Sequence, residues 1–227
     1  MANYQLIVHE QVKSPIAEAY RTLRTNIQFA KINNALKTIM FTSTGPGEGK
    51  STTAANTAVA LAQTGKRVIL IDCDLRKPVQ HKIFGLLPQG ITNLLVENRT
   101  VASQLQNTMV KNLRVLGCGP IPPNPSELLG SEAMDQLLIT LKNESDVLIV
   151  DAPPVMAVTD AGVLASKVDG IIMVISSRMV RPELAQRAKE LLLRANGNIL
   201  GVVLNRVELN KDELHYYHYY GQDGQAN

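Results

Sequence analysis

Apolar residues along this chain follow two rhythms. Short, nearly unbroken runs rich in Val, Ile and Leu recur at Thr38–Thr42, Val68–Ile71, Leu113–Leu116, Val147–Val150, Ile171–Ile175 and Ile199–Leu204. Between them the period lengthens to that of a helix, at Pro15–Lys31, Ser51–Gln63, Glu132–Leu141, Thr159–Ala165 and Pro182–Arg194. In the first helix Ile16, Tyr20, Leu23, Ile27 and Ala30 fall on one face, Ser14 is placed as the N-cap, and Pro15 takes the first helical position. Strands apolar on both sides, alternating with helices, predict an α/β fold with a mostly parallel sheet covered on both faces. Ligands of such sheets bind at the carboxyl ends of the strands. The Pro-rich stretch Gly119–Pro125 reads as a loop within the domain, and there is no internal repeat. The apolar pattern stops near Glu208. Residues 1–207 therefore read as one domain and residues 208–227 as an extended tail.

Composition narrows this little. The chain of 227 residues has 45% hydrophobic and 19% charged residues, ordinary values for a globule, and a net charge of +3. The basic residues are scattered, which argues against nucleic acid as a partner. No apolar run nears the 18 or so residues of a membrane helix, and the N-terminus lacks a basic-then-apolar leader. The expected compartment is the cytoplasm, with any membrane role exercised through a partner. Cys73 and Cys118 read as small, reduced residues.

The chemistry begins at residues 45–52, Gly-Pro-Gly-Glu-Gly-Lys-Ser-Thr, where the first strand gives way to a helix. A glycine-rich turn there points backbone N–H groups inward at the positive end of a helix, the arrangement a polyphosphate needs. Gly45, Gly47, Glu48, Gly49, Lys50, Ser51 and Thr52 are the expected nucleotide-binding residues, with Lys50 on the β/γ-phosphates and Ser51 on Mg²⁺. The strict pattern would place glycine where this chain has Thr44.

Two further strand ends carry acids. The second strand runs into Asp72-Cys-Asp74-Leu-Arg76 and the fourth into Asp151-Ala-Pro-Pro. Singly, each aspartate is compatible with a plain turn. Beside a P-loop they supply oxygen ligands and charge neutralisation at the triphosphate edge, with Ser51, Asp72 and Asp151 as the metal candidates. Asn205, after the last strand, fits either the nucleotide base or an ordinary turn.

Taken together, these three boxes resemble the bacterial tyrosine kinases, the BY-kinase family of capsule and exopolysaccharide export. The likeness is to the Gram-positive form, in which a cytoplasmic kinase is separate from its membrane activator. Position 45 is glycine where the deviant-Walker positioning ATPases carry a signature lysine, which separates the chain from those relatives while keeping their P-loop NTPase fold. Glu18-x-x-Arg21-x-x-Arg24 fits the family's oligomerisation motif, within an N-terminal segment 1–33, although an i, i+3 ion pair alone would explain the spacing. Tyr216, Tyr217, Tyr219 and Tyr220 fit its C-terminal tyrosine cluster.

The resemblance implies ATP and Mg²⁺ as cofactors and autophosphorylation of that cluster in trans within a homo-oligomeric ring. It also implies a transmembrane activator of the polysaccharide co-polymerase type, an opposing tyrosine phosphatase, protein substrates, and recruitment to the inner face of the plasma membrane. In such a kinase Lys50 neutralises the transferring phosphoryl group and Asp72 orients or deprotonates the incoming tyrosine. Asp74 supports the metal shell and Arg76 touches the phosphates or the acceptor. A switch ATPase on the same fold, with no protein acceptor, is the competing expectation.

Overall fold

A computed structural model describes residues 5–30, 36–97 and 99–208. The tyrosine cluster and most of the expected tail lie outside the described residues. In chain order the elements are α1 (Ile7–Glu10), α2 (Pro15–Phe29), β1 (Thr38–Ser43), α3 (Lys50–Ala62), β2 (Val68–Asp72), α4 (Gln80–Ile83), α5 (Ile91–Glu97), α6 (Val101–Gln104), β3 (Gln106–Asn107), β4 (Leu113–Leu116), α7 (Pro125–Gly130), α8 (Glu132–Glu144), β5 (Val147–Asp151), α9 (Asp160–Ala165), β6 (Gly170–Ser176), α10 (Pro182–Arg194) and β7 (Ile199–Asn205). The sheet runs β3-β4-β2-β5-β1-β6-β7, parallel except for the short antiparallel β3–β4 pair.

Alternation along the strands divides the interior in two. Met40, Ile69, Ile71, Leu148 and Val150 face one core, shared with Leu137 and Leu141 of α8, Leu164 of α9 and Leu192 of α10. Their neighbours Ile39, Phe41, Leu70 and Ile149 face the other, shared with Ile27 of α2 and the alanines of α3. This is why the strands read as unbroken apolar runs: both faces are covered.

Helix α3 is buried nearly all round because α2 and the N-terminal segment cover its outer side. Its Asn56 accepts from Val8 N at 3.1 Å and donates to the Gln5 carbonyl at 3.1 Å, tying that segment down. Ser14 caps α2 as expected, accepting from Ala17 N at 3.1 Å, and Pro15 is the first helical residue. The apolar face of α2 is narrower than its spacing suggests. Ala17 and Ile27 are buried, Tyr20 and Leu23 are half-buried, and Ile16 and Ala30 are exposed.

The motif on α2 is engaged within the chain. Arg21 forms an ion pair with Glu18 at 2.6 Å, one turn apart, and also donates to the Val12 carbonyl. Arg24 turns inward, donating to the Ala60 carbonyl of α3 at 3.3 Å, while its Nε is buried without a partner.

The sheet order has a functional consequence. The chain goes from β1 across to β2 and β4, then returns to insert β5 between β1 and β2 before crossing to β6. The ends of β1, β5 and β2 therefore lie side by side. In the ladder Phe41 pairs with Asp151 and Asp151 pairs with Asp72, so a glycine-rich loop and two acids meet at one edge.

Candidate active site

The loop between β1 and α3 is shaped by left-handed backbone at Gly47 (φ 78°) and Gly49 (φ 95°). A side chain at Gly49 would also collide with Asn205, whose Nδ2 would lie 2.2 Å from the added Cβ. Helix α3 begins with no side-chain cap and no acid in its first turn. Its first amides are left open at the positive end of the helix dipole, ready for an anion.

Glu48 holds the loop's shape. Its carboxylate accepts from the backbone N–H of Gly45 and, at 3.1 Å, from that of Ser176 at the end of β6. Its backbone carbonyl accepts from Asn205 Nδ2 at 2.8 Å, and Asn205 Oδ1 accepts from Arg206 N at 2.9 Å. The Glu48 side chain is a buried strut of the loop, and Asn205 is drawn under the loop, where the glycine at 49 leaves room for its amide.

Lys50 Nζ lies 2.8 Å from Asp74 Oδ2, 3.3 Å from Asp151 Oδ1 and 3.1 Å from Ser51 Oγ. Burial works against its ammonium, but Asp151 and Asp74 outweigh it, and its pKa lies above the ordinary lysine value. Without nucleotide Lys50 is thus the counter-ion of the acids.

Asp72 is fully buried. Its Oδ2 accepts from Val79 N and Gln80 N, both at 2.9 Å, and its Oδ1 from Asp74 N at 3.3 Å. Burial, and next the Asp151 carboxylate, push its pKa up to about 8. Two neighbouring carboxylates in a dry site cannot both be ionised cheaply.

A cavity of roughly 450 Å³ opens over the loop, walled by Gly47, Gly49, Lys50, Ser51 and Thr52 on one side and by Asp74, Arg76, Pro153 and Pro154 on the others. Asp72, Asp151, Glu48 and Asn205 lie behind this wall, not on it. Arg76, expected on phosphate or acceptor, instead forms a two-bond pair with Asp160 at 2.9 and 3.0 Å, and Ser126 Oγ donates to the same carboxylate at 2.7 Å. Burial opposes the Asp160 carboxylate, but the hydrogen bonds from Arg76 and Ser126 prevail and its pKa is lowered.

Three contributors escaped the sequence reading. Gln80 donates to Asp151 Oδ2 at 2.7 Å and to the Ser51 carbonyl at 3.1 Å, while its Oε1 is buried with no partner. Asp160 and Ser126 fix Arg76. None lies in a motif: Gln80 opens a single-turn helix, and the other two reach the site only through tertiary packing.

Among the described residues no three His, Cys, Asp or Glu side chains form a closed cation site. Mg²⁺ takes one or two carboxylates and completes its shell with phosphate and water. The open amides of α3, the Ser51 hydroxyl and the surplus of acids over Lys50 fit a cation–triphosphate pair.

Residues 34–227 match the ParA family described as the NUBPL iron-transfer P-loop NTPase. The chain is 45% identical to the tyrosine-protein kinase YwqD of Bacillus subtilis, over 95% of its own length and 91% of the relative's. It is 41% identical to the putative tyrosine-protein kinase CapB of Staphylococcus aureus, over 96% of each. The crystal structure of the chimerical protein CapA2B2 superposes with a TM-score of 0.86 at 43% identity, covering 90% of both chains. With P-loop, strand-end acids and sheet order all in agreement, the chain belongs to the bacterial tyrosine-protein kinases, built on the ParA-type P-loop NTPase fold.

Proposed function

We propose that this kinase uses ATP and Mg²⁺ to phosphorylate the cluster Tyr216, Tyr217, Tyr219 and Tyr220 of another copy of itself, and so regulates capsule or exopolysaccharide synthesis and export. The observation that carries the reading is Lys50 held between Asp74 and Asp151 beside the open start of α3. This lysine has acids to leave and phosphates to reach.

In the proposed reaction the loop amides hold the phosphates and Lys50 moves onto the transferring phosphoryl group. Ser51 and Asp151, with Asp72 or Asp74, would ligate Mg²⁺, which would supply charge neutralisation between the phosphates. The tyrosine oxygen forms the new bond to the γ-phosphorus as the β–γ bridging oxygen leaves with ADP. Asp72 accepts the phenolic proton as the new bond forms. Reaching the acceptor requires the backbone from Asp74 to Gln80 to release it, since its oxygens are held there. Phosphoryl transfer proceeds through a loose transition state, so positioning and electrostatics supply most of the acceleration.

Assembly into a ring through Glu18, Arg21 and Arg24 belongs to the same proposal, as do a transmembrane activator, protein substrates, a tyrosine phosphatase and a cytoplasmic site of action at the inner membrane face. Among the described residues no helix is long and apolar enough to cross a membrane, so a role there would come through the activator. Four phosphates would add about −6 to −8 charge to a +3 chain. Such a tail should leave a neighbour's acid-lined site and loosen the ring.

Mass spectrometry of the purified chain after ATP–Mg²⁺ treatment, with and without phosphatase, tests the reading. Phosphate mapped to residues 216–220 is expected. ATP hydrolysis with no phosphotyrosine, unchanged on removing residues 215–227, would favour the switch ATPase instead. Light-scattering masses provide the second test: Arg21→Ala/Arg24→Ala should lose the assembly and retain ATP binding.

A further inference from the structure

A second cavity, roughly 590 Å³, adjoins the nucleotide site and shares Arg76, Lys77 and Val79 with it. It leads from the P-loop mouth along α4. Its charged and titratable lining comprises Arg76, Lys77, His81 and Lys82, with no carboxylate among its lining residues. Arg76 is balanced by Asp160, but among the described residues neither Lys77 nor Lys82 has an acidic partner, and both are exposed. The opposite wall is apolar: Pro88, Pro120 and Ile121, the last 63% exposed.

The apolar wall is itself tied together, since the segments carrying Pro88 and Pro120 are bonded to each other. Gly90 and Gly117 form an isolated bridge, and Ile91 N and Thr92 N donate to the carbonyls of Gly117 and Cys118 at 2.9 and 2.8 Å. The backbones approach so closely that a Cβ on Gly90 would lie 1.7 Å from the Gly117 carbonyl oxygen. The groove is basic on one side and apolar on the other, and it opens into the nucleotide cavity at Arg76, Lys77 and Val79.

Resting on the proposed function, we infer that this groove is the acceptor subsite. It holds the segment Asp212-Glu213-Leu214, just before the tyrosine cluster, from a second copy of the chain. The sequence supplies complementary chemistry just before the tyrosines. Two acids suit the unpaired Lys77 and Lys82, Leu214 suits Ile121 and the prolines, and Tyr216 follows two residues later at the phosphate end. The groove thereby selects tyrosines preceded by acidic residues, a specificity the P-loop cannot provide.

The test uses the full-length protein and a fluorescent peptide of residues 208–227, with binding read by anisotropy and phosphorylation read separately by steady-state kinetics. Changing Asp212 and Glu213 of the peptide to Asn and Gln should weaken binding and raise KM by about three- to tenfold, as two ion pairs at a partly screened surface would. The kcat should stay within twofold. Lys82→Glu in the enzyme should reproduce that loss with the natural peptide and add little with the neutralised one, leaving nucleotide affinity unchanged. Equal affinity and KM for both peptides overturns the inference. So does equally tight binding of a peptide of the same composition with its acids moved after the tyrosines, which would make the groove a general polyanion surface. A natural peptide that binds in this charge-dependent way without being phosphorylated would support the groove and bring down the kinase acceptor assignment instead.

Discussion

Asp72 and Asp151 stand side by side at the ends of β2 and β5, buried to zero exposure, and a few residues away Asp160 is buried as completely at the start of α9. The two places differ in charge balance. Asp160 faces one guanidinium through two hydrogen bonds, with Ser126 completing the set, and the pair needs nothing more. At the inner edge Asp72, Asp74 and Asp151 share a single ammonium, Lys50. Burial, and next the Asp151 carboxylate, raise the pKa of Asp72. An unbalanced buried acid cluster is costly, and a fold retains one where a cation completes it. On the proposed function the inner set is the machinery, while the outer set holds Arg76 at the mouth shared by the two cavities.

Lys50→Met strikes the inner set hardest. It removes the ammonium paired with Asp74 and Asp151, so autophosphorylation should fall by about a thousandfold or more. It should also leave the acids unopposed and destabilise the fold by about 3 kcal/mol. Stopped assays and denaturant melts of the same preparation read both effects. Asp151→Asn should cost about a hundred- to a thousandfold in turnover but leave the melting point unchanged or raised, because it relieves the surplus. A large drop in stability would mean that the inner acids are structural like Asp160.

Arg76→Ala should reduce turnover by about tenfold, since the nucleotide loop and inner acids remain intact. A loss as large as that of Lys50→Met would erase the distinction between the two sets. The smallest effect lies in acid. Asp160 has a folded-state pKa below its ordinary value near 4. Its contribution is complete above that value and disappears as pH falls through the lower, folded-state one. The stability gap between the wild type and Arg76→Ala should therefore be largest at pH 5 and above and close toward pH 2. A gap that widens in acid would contradict the pairing.

The sequence made much of the inner set legible. Lys50, Ser51, Asp72, Asp74 and Asp151 are local to strand ends, and unbroken apolar runs place those ends at one edge of a parallel sheet. What it could not reveal is which way these side chains face. Glu48 and Asn205 sit in or near the motif, yet Glu48 binds the backbone of Gly45 and Ser176, and Asn205 reaches the Glu48 carbonyl through a space opened by Gly49. Gln80, Ser126 and Asp160 lie on short helices whose polar residues resemble turn residues until tertiary packing delivers them. The stretch from Asp74 to Asn112 was harder still. Its helices α4, α5 and α6 are four to seven residues long, too short for a helical period to register, and the second cavity borders this stretch.

The most direct test of the inner set is a crystal structure of the full chain with a non-hydrolysable ATP analogue and Mg²⁺. The account predicts that Lys50 Nζ leaves Asp151 for the phosphates while Mg²⁺ settles on Ser51 and the acids at the ends of β2 and β5. Lys50 still paired with Asp74 and Asp151 beside a bound nucleotide, or a cation that avoids those acids, would contradict it.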